Sequence, residues 1–434
     1  MPEKFDAIIV GAGPAGVTAA LVLAQAGCKV AVFERGEQPG SKNMFGGMLY
    51  YTEVIDKILP DFWKEAPIER YITKHNLVFT SEDSSVSITF ADKQFSQIPY
   101  NAVTLLRAKF DRWLAEKAQA AGALIIPETL VNEFVYEGRR IVGVKAARDA
   151  GVVLADVVII AEGANSLLVK KAGLGGDTSP EDFAVAAKEI LALPSEVIEK
   201  RVNLEKGEGA CYSVIGDCIQ GVEGGGFLFT NRTSLSIGVV GRLSSLQRRK
   251  ISISELLEHF KNHPSVSHII NGATIKEYSG HLIPEGGLKR SPRIYGDGVL
   301  VAGDAAGFLC STGLTLQGMN FAVASGFAAA EAVKKARECN DFSKKGLSCY
   351  KKLLKEGFVL PTLQTFRNAP IFLANPRIYS TYPSILCGVF RRIFKSGDHP
   401  RKKFMRLAMA ELREKLPLWC FIKDTFSGVR ALLW

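Results

Sequence analysis

No run of about 18 uniformly apolar residues occurs, so no membrane-spanning helix is expected. There is no Cys-x-x-Cys pair. The eight cysteines (Cys28, Cys211, Cys218, Cys310, Cys339, Cys349, Cys387 and Cys420) are scattered. That excludes a locally encoded zinc site or ferredoxin-type cluster and reads as free thiols in a reducing, cytosolic compartment. The six histidines have no spacing that suggests a metal site, although His259 and His263 stand four apart on one expected helix. HExxH is absent, as is any Ser-His-Asp or Cys-His arrangement, so no catalytic side chain is expected. A second dinucleotide fingerprint is missing too, which excludes a dedicated nicotinamide domain. The first expected strand begins within six residues of Met1, leaving no room for a signal peptide. No internal repeats are present. The 434 residues hold enough core for two to three domains.

What is present begins with two glycine motifs about 290 residues apart. Gly11-Ala12-Gly13-Pro14-Ala15-Gly16 follows the apolar run from Ala7 to Val10. Gly303-Asp304-Ala305-Ala306-Gly307 follows the run from Val299 to Ala302. In the first, Gly11 makes a tight turn, Gly13 lets backbone approach a pyrophosphate, and Gly16 lets the next helix pack close to the strand. The helix N-terminus offers free N–H groups and partial positive charge to phosphate. An expected strand from Lys29 to Phe33 then delivers Glu34, where a carboxylate binds ribose hydroxyls. In the second motif, Asp304 can hydrogen-bond a ribityl hydroxyl. The long helix expected from Leu316 to Ala336 aims its N-terminus, with Gly318 and Met319, at a flavin ring. A dinucleotide gripped from both ends of the chain points to FAD. A flavin carries its own redox chemistry, and the protein supplies orientation and electrostatics.

Between these grips the pattern changes. Alternation from Ile68 to Ile98 reads as antiparallel strands, 105–121 as a helix carrying Arg107 near its start, and 133–145 as a hairpin. Arg107 suits a phosphate or flavin edge, or a plain surface ion pair. Gly224-Gly225-Gly226-Phe227-Leu228-Phe229 is either an apolar channel wall or a bulged strand. The expected fold class is α/β: a discontinuous FAD-binding domain (1–75, 100–175, 291–340), an inserted antiparallel substrate sheet (76–99, 176–290) and a helical C-terminal region (341–434) broken by prolines. Charge follows this division. Residues 341–434 carry 18 Lys and Arg against 6 Asp and Glu, the rest 36 against 38. The basic excess therefore suits an acidic partner surface or anionic lipid headgroups, and nucleic acid is not an expected partner.

These residues together resemble the geranylgeranyl reductase/electron-transfer-flavoprotein:quinone oxidoreductase superfamily, nearest its FixC/EtfC branch. The resemblance rests on GAGPAG, Glu34, the loop Lys42-Asn43-Met44-Phe45-Gly46-Gly47-Met48-Leu49-Tyr50, Leu106 to Asp111, Ala161 to Ser166, GDAAG, and Phe366 to Pro383. It implies a Rossmann-like FAD domain of the glutathione-reductase-2 type. Gly11, Gly13, Ala15 and Gly16 would hold the pyrophosphate and Glu34 the ribose. Arg107 and Val131 would flank the dinucleotide, and Gly46, Gly47 and Leu49 would lie by the flavin. Gly303, Asp304, Gly318 and Met319 would hold the ribityl chain and ring, with Gly225, Gly226 and Phe227 on the quinone side.

The implied function is passage of electrons from an electron transfer flavoprotein (alpha and beta subunits) to a membrane quinone, with menaquinone the expected one. Single-chain relatives carry a four-cysteine 4Fe–4S module that this chain lacks, so a separate small ferredoxin-like iron–sulfur subunit is expected. Phe45 replaces the cysteine of the archaeal prenyl reductases. Leu418, Phe421, Ile422, Phe426, Val429 and Leu433 form a helical stripe, with Trp419 and Trp434 as interfacial anchors and basic residues before it. That pattern suits a peripheral position on the cytoplasmic face of a membrane, or packing on a partner or the core. Two further readings are a prenyl-lipid reductase and a non-catalytic flavin relay subunit.

Overall fold

The computed structural model describes residues 4–41, 47–147, 151–176, 179–288, 291–313, 315–398 and 400–433. Gly46 and Trp434, both named above, lie outside these. The first sheet runs Tyr295–Gly296, Val299–Val301, Val152–Ile160, Lys4–Val10, Val30–Phe33, Leu124–Ile126, parallel apart from its first pair. Its central strands are apolar on both faces because both are covered: Ala7, Ile8, Ile9 and Val157 to Ile160 are buried. Helix Pro14–Gln25 covers one such strand, starting with Pro at its first position. Helix Met319–Glu338 packs across it. The crossing is close: a Cβ on Gly326 would collide with the Ala15 carbonyl, and one on Gly303 would sit 2.9 Å from the Ala15 Cβ. The hairpin Val131–Glu137/Arg140–Ala146 extends this sheet through its pairing with Val152–Ile160.

The second sheet runs Thr274–Pro284, Phe183–Ala192, Ser234–Arg242, Gly224–Thr230, Glu208–Gly216, Ile68–Ser81, Ala102–Leu105, Met48–Tyr50, with Ser84–Ala91 paired to Ile68–Ser81. It departs from the expected antiparallel sheet at one pair: Glu208–Gly216 runs parallel to Ile68–Ser81. Those strands come from distant segments, so no hairpin dictates their direction. Met48–Tyr50, Ala102–Leu105 and the start of Ile68–Ser81 fall in ranges expected for the cofactor half, yet their backbones pair into this sheet. One face packs on helix Ile253–Asn262, which starts with a Ser252–Glu255 capping box. The other face presents Phe227, Val240 and Ile283 toward the first sheet's domain. Gly224–Thr230 is a regular strand without a bulge.

The C-terminal region is helical. Its prolines start helices more than they break them: Pro370 and Pro376 sit in first turns, and Pro361 and Pro383 are each third in their helices. Helix Leu418–Gly428 is turned against hydrophobic expectation. It buries Cys420 and Asp424 and exposes Leu418, Trp419, Ile422 and Phe426, the last at 70%. Phe421 of the expected stripe turns inward beside Tyr382. The cause is an ion pair. Asp424 accepts from Arg377 Nε and Nη2, each at 2.6 Å, and from the Tyr382 hydroxyl at 2.7 Å. Arg377 and these hydrogen bonds hold the Asp424 carboxyl down to about 2.

Asp424→Asn is expected to destabilise this helix by about 2 kcal/mol, the worth of hydrogen bonds to a charged group. The depressed carboxyl contributes fully above its unfolded value of 3.8 and loses that contribution as pH falls toward 2. Hydrogen exchange over 418–428 checks both: the variant exchanges faster at neutral pH, and wild type approaches it in acid.

Candidate functional site

One cavity of about 1060 Å³ runs from the first glycine motif to the second sheet. That is at the upper limit of small-molecule sites, roughly 300–1,000 Å³. At its glycine-rich end, Gly11 has φ +104, and a Cβ there would strike the Ala161 carbonyl. A Cβ on Gly16 would strike the Gly11 carbonyl, so this glycine serves packing. On Gly13 a Cβ would meet nothing within 4 Å. Its open side faces the cavity at the start of helix Pro14–Gln25, a cradle for a phosphate. Glu34 leaves strand Val30–Phe33 with its carboxylate accepting from Ala12 N–H at 2.9 Å and Gly36 N–H at 2.6 Å. These bonds fix the acid at the cavity wall, within the glycine turn.

Further along, Ala15, Gly47, Arg107, Val131, Gly303, Asp304, Gly318 and Met319 line the same cavity. Arg107 forks onto Asp111, with Nε–Oδ1 at 2.8 Å and Nη2–Oδ2 at 2.7 Å. Burial pushes the Asp304 carboxyl up, opposed by His281 and Arg107. The second long helix starts at Met319, three residues later than expected, with Gly318 as its cap at the cavity wall. Leu49 is buried in the core beneath the wall, while its neighbours Met48 and Tyr50 line the cavity. Gly225, Gly226 and Phe227 line the far end, where Phe227 stacks on Phe229 at 4.9 Å.

Sequence reasoning missed Tyr50, His75, Cys211 and His281, which also line the cavity. His75 Nδ1 lies 3.0 Å from Cys211 Sγ across the unexpected parallel pair. Burial raises the thiol to about 12 and lowers the imidazole, so both are neutral near pH 7. Strand alternation alone would have put His75 on one face, but only the parallel pairing brings Cys211 to it. Among the described residues no group of three His, Cys, Asp or Glu can hold a metal. His259 bonds the Asp217 carbonyl, and His263 ends its helix against the Ser81 carbonyl.

The "Probable electron transfer flavoprotein-quinone oxidoreductase YdiS" of Escherichia coli is 40% identical over 430 residues, covering 99% of each chain. "Protein FixC" of Azotobacter vinelandii is 43% identical, over 100% of this chain and 96% of its own. The chain belongs to the FixC/electron transfer flavoprotein-quinone oxidoreductase family. The ETF-QO/FixC family C-terminal domain matches 369–433, and the Thi4 family matches 3–171. The fold is shared with a geranylgeranyl bacteriochlorophyll reductase-like protein of Thermoplasma acidophilum (TM-score 0.72, 21% identity, 95% of this chain and 96% of that one). The flavin-dependent brominase Bmp2 shares it as well (TM-score 0.64, 15% identity, 95% and 99%). This member of the FixC family is a FAD-dependent oxidoreductase, and the residues present fit that cofactor: an open glycine cradle, an anchored acid and a cavity long enough for a dinucleotide and more.

Gly13→Ala and Gly11→Ala separate cradle from fold. Gly13→Ala is expected to keep its melting temperature without cofactor and to weaken FAD at least tenfold. Gly11→Ala is expected to lose both stability and colour. Thermal melts and FAD titration of the apoproteins check this.

Proposed function

We propose that this chain takes electrons from an electron transfer flavoprotein onto FAD and passes them to a membrane quinone, with menaquinone the quinone in mind. A small ferredoxin-like iron–sulfur subunit works with it. The observation that carries the reading is one continuous cavity whose glycine-rich end suits a dinucleotide and whose other end is walled by Phe227, Phe229, Val240, Ile283 and Leu309. FAD supplies two-electron chemistry at the junction of the two ends. In this reading Gly11, Gly13 and Ala15 carry the pyrophosphate, with Gly16 packed beneath them, and Glu34 the adenosine ribose. Arg107 and Val131 flank the dinucleotide. Gly47 borders the flavin, with Leu49 supporting the wall from beneath, and Gly303, Asp304, Gly318 and Met319 stand at the ribityl chain and ring. Gly225, Gly226 and Phe227 face the quinone.

The C-terminal region supports a peripheral place on the cytoplasmic membrane face. No helix among the described residues is long and apolar enough to cross a bilayer. Helix Leu418–Gly428 nevertheless points Trp419, Ile422 and Phe426 outward, and Lys395, Arg401, Lys402, Lys403 and Arg406 are exposed before it. Apolar side chains beside lysine and arginine suit an anionic bilayer surface. Through its opposite face helix Leu418–Gly428 packs Gly428 against Phe372, in the short helix whose Leu373 lines the cavity.

A second reading, prenyl-lipid reduction, draws on the same apolar chamber, which would take an isoprenoid chain. The readings part in one assay. With all subunits present, reduced electron transfer flavoprotein should bleach the FAD absorbance and a quinone analogue should restore it. A failure of that transfer, with saturation of a geranylgeranyl substrate by the dithionite-reduced enzyme, would favour the second. Independently, replacing Trp419, Ile422 and Phe426 together by Ser is expected to weaken binding to anionic vesicles at least tenfold with the flavin spectrum unchanged. Vesicle co-sedimentation at low and high salt measures it.

A further inference from the structure

Three charged residues unused above stand at one end of three strands in the second sheet. Glu223 precedes Gly224–Thr230, Arg242 ends Ser234–Arg242, and Glu285 follows Thr274–Pro284. Phe183–Ala192 pairs with both of the latter strands, placing Ala184 opposite Arg242 and Phe183 opposite Pro284. Arg242 Nε sits 3.8 Å from Glu223 Oε2 and 3.8 Å from Glu285 Oε2. It is buried and makes no hydrogen bond. Both distances exceed hydrogen-bond length, so Arg242 stands between the two carboxyls as a charge rather than as a hydrogen-bond donor. All three residues line the apolar end of the main cavity, beside Tyr379.

A second cavity of about 520 Å³ lies on their other side. Glu223 and Arg242 belong to the walls of both cavities. The outer one is lined also by Glu181, Ser245 and the exposed Arg248 and Arg249, so it opens to solvent. Arg248 pairs with Glu223 through Nη2 and Oε1. Glu223 thus faces two guanidinium groups, whereas Glu285 faces Arg242, Glu223 and the Tyr379 phenol. The two carboxyls are differently placed. Burial is the largest influence on Glu285 and raises it, with Glu223 adding to the rise and Arg242 opposing it.

Reducing a quinone to a quinol takes two electrons and two protons. If the flavoprotein partner delivers electrons alone, both protons of each turnover come from solvent. The aromatic and aliphatic stretch of the chamber wall carries no exchangeable proton, whereas Glu285 lines the chamber and Glu223 lines both it and the outer cavity. We propose that Glu223 and Glu285, held on either side of the permanently charged Arg242, carry protons from the outer cavity into the substrate chamber, with Glu285 as the inner end. This rests on the quinone reading above. The quinone takes up two electrons and two protons: one O–H forms with the proton that the reduced flavin gives up as it is oxidised, and the other forms as the Glu285 carboxyl O–H breaks. The path is reprotonated from the outer cavity.

The test uses the full-length FAD-loaded protein, reduced with dithionite and mixed in a stopped-flow instrument with either a short-chain quinone or ferricenium. Ferricenium accepts an electron and no proton. Glu285→Gln and Glu223→Gln are expected to slow flavin reoxidation by the quinone at least tenfold, to leave reoxidation by ferricenium within twofold of wild type, and to raise the solvent deuterium isotope effect on the quinone reaction alone. Glu285→Asp should recover part of the quinone rate. Wild-type quinone rates in both Gln variants would overturn the path. Equal slowing with both acceptors would overturn it too, because a general structural defect would then explain the loss. A wild-type protein that ferricenium reoxidises and no quinone does would instead refute the quinone reading on which the path depends.

Discussion

The structure depends on one close crossing. Helix Pro14–Gln25 and helix Met319–Glu338 meet where Gly326 lies against the Ala15 carbonyl and Gly303 against the Ala15 side chain. Ala15 stands in the N-terminal glycine motif, and its two contacts come from a segment about 290 residues later. No side chain larger than hydrogen fits at position 326 without moving one helix away. The contact therefore holds Gly13 and Glu34 on one side and Asp304, Gly318 and Met319 on the other against a shared cavity. The whole second sheet lies in the chain between the two segments, as an excursion that returns to this point.

That return gives the cavity its two characters. The glycine turn and helix starts offer backbone N–H groups and positive dipole ends, the chemistry of phosphate recognition. The second sheet offers the apolar side chains of Phe227, Phe229, Val240 and Ile283. A flavin between them would have its nucleotide held by polar contacts and its ring open to an apolar partner. The C-terminal helices extend the apolar side outward. There the Arg377–Asp424 pair fixes helix Leu418–Gly428 with its aromatic and aliphatic face in solvent, an orientation that hydrophobic burial alone would reverse. The ion pair sets the surface that a membrane or a partner subunit would meet.

Much of the first sheet was legible because its signals are local. Gly11, Gly13 and Gly16 have their three roles written in their spacing, and Glu34 follows its strand directly. The helix at Arg107–Ala120 was readable from its apolar spacing. What escaped depends on pairings between distant segments. Glu208–Gly216 lies beside Ile68–Ser81 in parallel, so His75 meets Cys211 at 3.0 Å, and nothing within either strand announces it. Glu223, Arg242 and Glu285 converge only because three strands end at the same edge. The outward turn of Trp419, Ile422 and Phe426 was one of two readings the stripe left open, because a hydrophobic stripe in sequence does not say which face an ion pair will bury.

A high-resolution structure of the FAD-bound protein tests the central claim most directly, that one cavity holds the flavin between a polar grip and an apolar chamber. The account predicts adenosine ribose oxygens on the Glu34 carboxylate, pyrophosphate over Gly13, and the flavin ring beside Gly318 and Met319 with one edge toward Phe227 and Tyr50. A ring turned out toward solvent, or a dinucleotide that leaves the Phe227 chamber sealed from it, would contradict the account.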